Sequence, residues 1–250
     1  MAGHSKWANI KHRKAAQDAK KGREFQKHIR AIMVAAREGG ADPALNIRLK
    51  AALERARAAN VPNDNIEKAI KKGIGDIEGV KYEEVIYEGY GTSGVAVMVE
   101  TLTDNRNRTA SEMRYIFSRN GGTLGETGCV SWLFDRKGII CVKGENLDED
   151  ELLMACLDAG AEDMTTTEEG YSISTDPSLI SEVRDALEKA GYHVVKTEMD
   201  MIPKTTVSIT SSEDAAKILK LIDALEDHDD VQKVYANFDI PDDILEGMAG

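Results

Sequence analysis

The spacing of apolar positions changes character near residue 81. Before it, Phe25, Ile29, Ile32, Met33 and Ala36 fall at i, i+4, i+7, i+8 and i+11, the stripe of an amphipathic helix that Gly39-Gly40 ends. Asp42-Pro43 predicts a restart, with the proline in a first helical turn where its missing N–H costs nothing. Leu45, Leu49, Ala52, Leu53 and Ala56 then repeat the spacing. A third short helix is predicted from Asp64, with Glu67 three residues on as a capping box, Ile66 and Ile70 inward and Gly73 as its stop.

After residue 81 the pattern becomes strand-like. Val85–Tyr90 and Val95–Thr103 read as strands, Ala110, Met113, Ile116 and Phe117 as a helix, and Cys129–Phe134 as a further strand. Gly138–Val142, Glu149–Leu157, Asp163–Thr167, Tyr171–Thr175, Pro177–Ala190 and His193–Met201 follow as strand, helix, strand, strand, helix, strand, with a turn at Glu169-Gly170. That order is βαββαβ, a ferredoxin-like unit. A last strand (Thr205–Thr210), helix (Glu213–Glu226) and strand (Val231–Phe238) would bury little alone and are predicted to complete the sheet begun at 81–134.

The fold class expected is therefore α+β: an N-terminal three-helix domain followed by two α/β domains, the ferredoxin-like one inserted in the other. The expected boundaries are 1–78 for a basic helical domain, 79–134 plus 205–240 for a discontinuous α/β domain, 135–204 for the acidic inserted domain and 241–250 for a tail. The short glycine-rich link Gly73–Gly79 predicts a hinge.

Charge sharpens this division. The formal net charge is −12, but residues 1–72 hold 17 Lys/Arg against 7 Asp/Glu, while the rest holds 15 against 37. A polyanion is drawn to the first part and repelled by the second. Lys6, Lys11, Arg13, Lys14, Lys20, Lys21, Arg23, Lys27 and Arg30 lie within the first thirty residues, interleaved with His4, Trp7, His12 and His28. Clustered cations neutralise phosphates and release counterions; Trp7 can stack on an unpaired base, and Ser5 or Asn9 can hydrogen-bond a phosphate or base edge. A solvated basic tail, or one that binds an acidic protein, is the alternative. Arg48, Lys50, Arg55 and Arg57 extend the patch along the second helix, some of them open to local pairing.

Other motifs carry less. Residues 24–57 suit a helix-turn-helix only loosely, because the connection Glu38–Pro43 is longer than the usual turn. Gly89-Tyr90-Gly91-Thr92-Ser93-Gly94 matches G-x-G-x-x-G, but a strand rather than a helix follows it, so it reads as a hairpin turn and no cofactor is expected. In Thr103–Thr109, Asp104 or Asn105 is an N-cap candidate, and Arg106 and Arg108 form a secondary anion site or bind a carboxylate elsewhere. The run Asp148–Glu151 reads as an acidic first helical turn. The inserted domain, with 17 acidic and 7 basic residues over 135–204, lacks a base-stacking signature. Cys129, Cys141 and Cys156 have neither disulfide nor zinc spacing, and no histidine stands in a triad or metal pattern, so neither catalysis nor a metal is expected. With no membrane-length apolar run and no secretory signal, the expectation is a cytoplasmic protein.

GHSKWANIKHRK at the start, NVPNDNIEKAIKKG (60–73), YEGYGTSGVAVMVE (87–100) and TDNRNRT (103–109) together resemble the YebC family over essentially the whole chain. That family includes bacterial proteins described as probable transcriptional regulators and a mitochondrial translational activator of cytochrome c oxidase subunit one. The resemblance implies three domains, no catalytic residues, a basic motif at Lys6, Trp7, Lys11, His12, Arg13 and Lys14, and an asparagine-arginine motif at Arg106 and Arg108. The expected partner is nucleic acid: DNA, with RNA polymerase nearby, for a transcriptional regulator, or ribosomal RNA on the ribosome for a translation factor. A protein-interaction module with an acidic partner is the third reading.

Overall fold

The computed structural model describes residues 17–75, 82–144, 147–167, 170–241 and 243–245, with side chains from residue 24 onward. Among them, 132–206 form one compact unit, and the residues on either side, 17–131 and 207–245, form the other. The architecture is α+β, with N-terminal helices followed by antiparallel sheets.

The larger unit begins with α1 (Gln17–Gly39), α2 (Ile47–Ala58) and α3 (Asn63–Ile74). Their shared core holds Ile32, Ala35, Ala36, Leu49, Ala52, Leu53, Ala56, Ile66 and Ala69, with Phe25, Ile29 and Ile70 packed against it. The alanines let the axes approach closely, and Gly73 is the tightest point: a Cβ there would lie 2.5 Å from the Met33 carbonyl oxygen. Gly73 therefore sits inside α3 at a helix contact instead of ending the helix, which stops after Ile74. Residues 76–79 of the predicted hinge lie outside the described residues.

Two predicted helix starts are displaced. Asp42-Pro43 forms a separate turn, and α2 starts at Ile47 with buried Asn46 as its cap. Asn46 accepts from Leu49 N–H (3.0 Å) while its amide donates to the carbonyls of Ala35 (2.7 Å) and Gly40 (2.9 Å). Three bonds to one side chain outweigh a proline's preference for a first turn. On α3, the capping box from Asp64 to Glu67 does not form. Pro62 precedes the helix, and its carbonyl accepts from Asn65 and Ile66 instead.

Next come β1 (Glu83–Tyr90) and β2 (Ala96–Thr103), a hairpin in full antiparallel register. Its turn, residues 91–95, is closed by Gly91 N–H on the Val95 carbonyl, with Ser93 and Gly94 at positive φ. α4 (Arg106–Arg119), β3 (Thr123–Leu124), α7 (Ser212–Glu226) and β9 (Val231–Ala236) complete the fold, giving strand order β3-β1-β2-β9. Met113 and Phe117 of α4 meet Ile218, Leu221, Ile222 and Leu225 of α7 over Val97, Val99 and Val234.

The predicted strand Thr205–Thr210 does not join this sheet. It shrinks to β8 (Val207–Ser208), which pairs in parallel with β10 (Phe238–Asp239). The side chain of Asn237 takes the Ala96 N–H (2.7 Å), and the chain leaves the sheet there.

Cys129–Phe134 is not a strand either. The buried Glu88 carboxylate accepts the backbone N–H groups of Gly128 (2.8 Å), Val130 (2.8 Å) and Ser131 (2.7 Å). These donors are consumed by a side chain, so none is left for a neighbouring strand.

The smaller unit runs β4 (Phe134–Lys143), α5 (Glu149–Asp158), β5 (Ala161–Thr167), β6 (Gly170–Thr175), α6 (Ile180–Lys189) and β7 (Val194–Pro203). Its antiparallel order β5-β6-β4-β7 is that of a ferredoxin-like sheet, with Ile140, Val142, Leu152, Cys156, Ile173, Val183 and Leu187 at the core. Asp148 caps α5, as its acidic run suggested. Glu169, in the predicted turn, lies outside the described residues. The helix predicted from Pro177 starts at Ile180, because Asp176 first organises a turn through Ser178 and Leu179. Among the described residues, no helix is long and apolar enough to cross a membrane.

Candidate nucleic-acid interface

Lys20, Arg23, Lys27 and Arg30 are spaced three, four and three apart, which puts them on one face of α1. Lys6, Trp7, Lys11, His12, Arg13 and Lys14 lie outside the described residues, as do the side chains of Lys20, Lys21 and Arg23. The described end of the stripe points back into the protein. Lys27 donates to the Glu226 carbonyl at the C-terminus of α7, where the helix dipole favours a cation. Burial lowers the Lys27 pKa, while the charges of Glu226, Asp227 and Asp229 oppose that fall.

Arg30 is more deeply committed. Its guanidinium donates to Asp230 Oδ1 (2.7 Å) and to the carbonyls of Asp229 (3.1 Å) and Leu102 (3.3 Å). It also lies 5.4 Å from the centre of the Tyr82 ring. On its other oxygen, Asp230 accepts from Arg108 (2.7 Å) and the Thr109 hydroxyl (2.8 Å). Burial works to raise the Asp230 pKa, but these bonds and the two guanidinium charges outweigh it and hold the carboxyl below its ordinary 3.8.

The Thr103–Thr109 motif thus resolves into separate roles. Asn105 caps α4 by accepting from Arg108 N–H (3.1 Å), and the Arg108 guanidinium binds Asp230 and Asp104. Arg106 is exposed, and its carbonyl accepts from the Tyr87 hydroxyl.

His228 completes the hub. Its Nδ1 accepts from Asp230 N–H (3.1 Å), so Nε2 carries the proton that reaches Glu112 (2.8 Å). Together these groups line an open cleft of about 760 Å³. Glu112, His228 and Asp230 are close enough to surround a metal ion, with ligand atoms within 4.8 Å of one another. The chemistry does not fit one: both Asp230 oxygens are taken, and two guanidinium groups would repel a divalent cation. No sequence signal pointed to His228, Glu112 or Asp230, because the hub joins residues more than a hundred positions apart.

On α2, Arg48 pairs with Glu38 and Glu84. Lys50, Arg55 and Arg57 are exposed, and Arg55 donates only to the Ala51 carbonyl. His28 is pushed down by burial; the nearby Glu24 charge opposes this, and the Arg55 and Lys27 charges add to it.

Comparison with known proteins gives a consistent picture. The TACO1/YebC protein N-terminal domain matches residues 5–76, and the TACO1/YebC second and third domain matches residues 82–238. A protein of Dictyoglomus turgidum called "Probable transcriptional regulatory protein" is 56% identical over 250 residues, covering 100% of both chains. One of the same name from Halothermothrix orenii is 55% identical over 98% of each. The crystal structure of a conserved hypothetical protein from Aquifex aeolicus superposes with TM-score 0.81 at 52% identity, covering 93% of this chain and 96% of that one.

Proposed function

Since the chain belongs to the TACO1/YebC family, we propose that it is a non-enzymatic, cytoplasmic regulator of gene expression that binds DNA through its basic N-terminal part. The observation that carries this reading is the charge split: an excess of ten positive charges over residues 1–72 in a chain whose formal net charge is −12. Relatives named as probable transcriptional regulators add to it. Lys6, Lys11, Arg13, Lys14, Lys20, Lys21 and Arg23 neutralise phosphates, with Trp7 and His12 between them. Lys27 and Arg30 anchor the same helix to the protein.

A second reading, contact with ribosomal RNA by a translation factor, is favoured by one feature. α1 and α2 are separated by seven residues, 40–46, and α2 is only 12 residues long. That is a poor frame for a base-reading helix.

The test is crosslinking in cells, with the recovered DNA and RNA sequenced in parallel. The control neutralises Lys11, Arg13, Lys14, Lys20 and Lys21. Discrete promoter DNA lost in the control supports transcriptional regulation, and ribosomal RNA at one location supports the second reading. Recovery unchanged by the control would sink both.

A further inference from the structure

The described part of the α1 stripe is occupied by the protein's own acceptors, so the cations available to an external polyanion stand elsewhere. They are concentrated on α2 and α3. Lys50, Arg55 and Arg57 on the first and Lys68, Lys71 and Lys72 on the second are all exposed. None of the six takes part in a described ion pair, whereas Arg108, Lys137, Lys204 and Lys217 in the α/β parts each hold a carboxylate. On α3, Asp64 and Glu67 stand four residues before Lys68 and Lys71, the spacing and order that favour pairing within a helix. Neither pair forms, and the lysine ammonium groups face solvent.

The geometry of this face is fixed. Lys68, Lys71 and Lys72 sit at i, i+3 and i+4, opposite the buried positions Ile66, Ala69 and Gly73. Gly73 lies so close to α1 that a Cβ would meet the Met33 carbonyl and, at 2.8 Å, Ala36 Cβ, so α3 cannot roll to turn its lysines inward. The rise from Lys68 to Lys72 is about 6 Å. A nucleic-acid strand presents one phosphate every ~3.4 Å of axis, so these side chains can reach roughly two to three phosphates. Arg55 stands near enough to His28 for its charge to bear on the imidazole, which brings the basic end of α2 alongside α1 near residue 28. Lysine ammonium groups are point charges without the planar fork that reads bases or grips two oxygens at once, so this surface suits phosphate backbone rather than base edges.

We propose that the exposed faces of α2 and α3, centred on Lys68, Lys71 and Lys72 and continued by Lys50, Arg55 and Arg57, form a second phosphate-contacting surface that binds the backbone of a nucleic acid without reading its sequence. The proposal rests on the nucleic-acid reading above and adds to it where, among the described residues, the backbone is held.

The test measures binding of the full-length chain to a fluorescent 20-base-pair DNA duplex and to an RNA of the same length, at several salt concentrations. Three variants are compared with the parent: Lys68→Gln/Lys71→Gln/Lys72→Gln, its all-arginine counterpart, and a charge-matched control, Arg136→Gln/Lys189→Gln/Lys220→Gln. Circular dichroism confirms that each is folded. The expected result for the glutamine triple on duplex DNA is a salt slope shallower by about two to three, the number of phosphates released. The arginine triple should keep the slope, and so should the control. If the glutamine triple keeps the parental slope while the Lys11/Arg13/Lys14/Lys20/Lys21 neutralised chain loses it, this surface is overturned and the nucleic-acid reading stands. If the parent itself binds neither probe at low salt, both are overturned.

Discussion

Glu88 is nearly sealed from solvent (3% exposed), and its carboxylate gathers three backbone N–H groups from the segment 128–131. Burial works against its ionisation, and the three hydrogen bonds more than offset that, so the group titrates below its ordinary 4.5. A depressed carboxyl pKa stabilises the folded state above the unfolded value, and the stabilisation is lost as pH falls through the folded one. Glu88→Gln keeps the size but replaces one acceptor oxygen with a donor, leaving at least one buried N–H without a partner. The expected cost is about 1–3 kcal/mol at pH 7, read as a lower urea midpoint. The gap between variant and parent should close as the medium is acidified below about pH 4.5, where the parent loses its carboxylate. An unchanged midpoint at pH 7 would show that the loop is held by other groups. A carboxylate in an alternating strand looks like an outward-facing residue, and only the fold reveals that its oxygens organise a loop forty residues away. That is why Cys129–Phe134 reads as a strand from its apolar content alone.

At the scale of elements, helices were legible wherever one apolar stripe recurred over three turns or more, as in α1, α2, α4 and α7. Their ends were legible only where the capping group is local. Asp148 caps α5 through the N–H groups of Asp150 and Glu151, two and three residues on, and its role could be read directly. Asn46 could not, because two of its bonds reach back to Ala35 and Gly40 on the preceding helix. This suggests a test of the α1–α2 joint. Asn46→Ala removes the cap and leaves the buried Ala35 carbonyl without this donor, for an expected loss of about 1–3 kcal/mol. Asn46→Asp keeps the capping oxygen and loses only the amide donor, so it should fall between. Gly73→Ala probes the α1–α3 joint by another route, steric overlap with the Met33 carbonyl. Overpacking of that kind costs about 1–3 kcal/mol, against the slight gain alanine brings to an unpacked helix position. Thermal melts that rank Gly73→Ala above the parent would mean that α3 is free to move away from α1.

Across the larger unit, Asp230 ties parts of the chain that no local pattern connects. Arg30 comes from the helical region, Arg108 and Thr109 from the start of α4, and Asp230 itself from the turn before β9. The basic character of residues 1–72 was visible in composition. That Arg30 would be spent internally was not, because charge counts carry no information about a carboxylate two hundred residues away. The Asp230 carboxyl is held below 3.8, so its stabilising contribution is present above that value and disappears as pH falls through the depressed one. Replacing it with Asn should flatten that part of the acid response and leave two guanidinium groups with weaker partners. A double-mutant cycle separates the tie from its surroundings. Arg30→Gln and Asp230→Asn, singly and together, should show a coupling of about 1–3 kcal/mol at pH 7, the range for contacting residues in one network. The same cycle repeated well below pH 3.8 should give a smaller value, since protonation removes the charge on which the pair depends. Arg108 remains on the other oxygen of Asp230, so the coupling measures what Arg30 adds beyond the local clamp. If the two losses add to within about 0.5 kcal/mol, Arg30 merely fills space beside Tyr82, and α1 is held to the α/β part by Lys27 and packing instead.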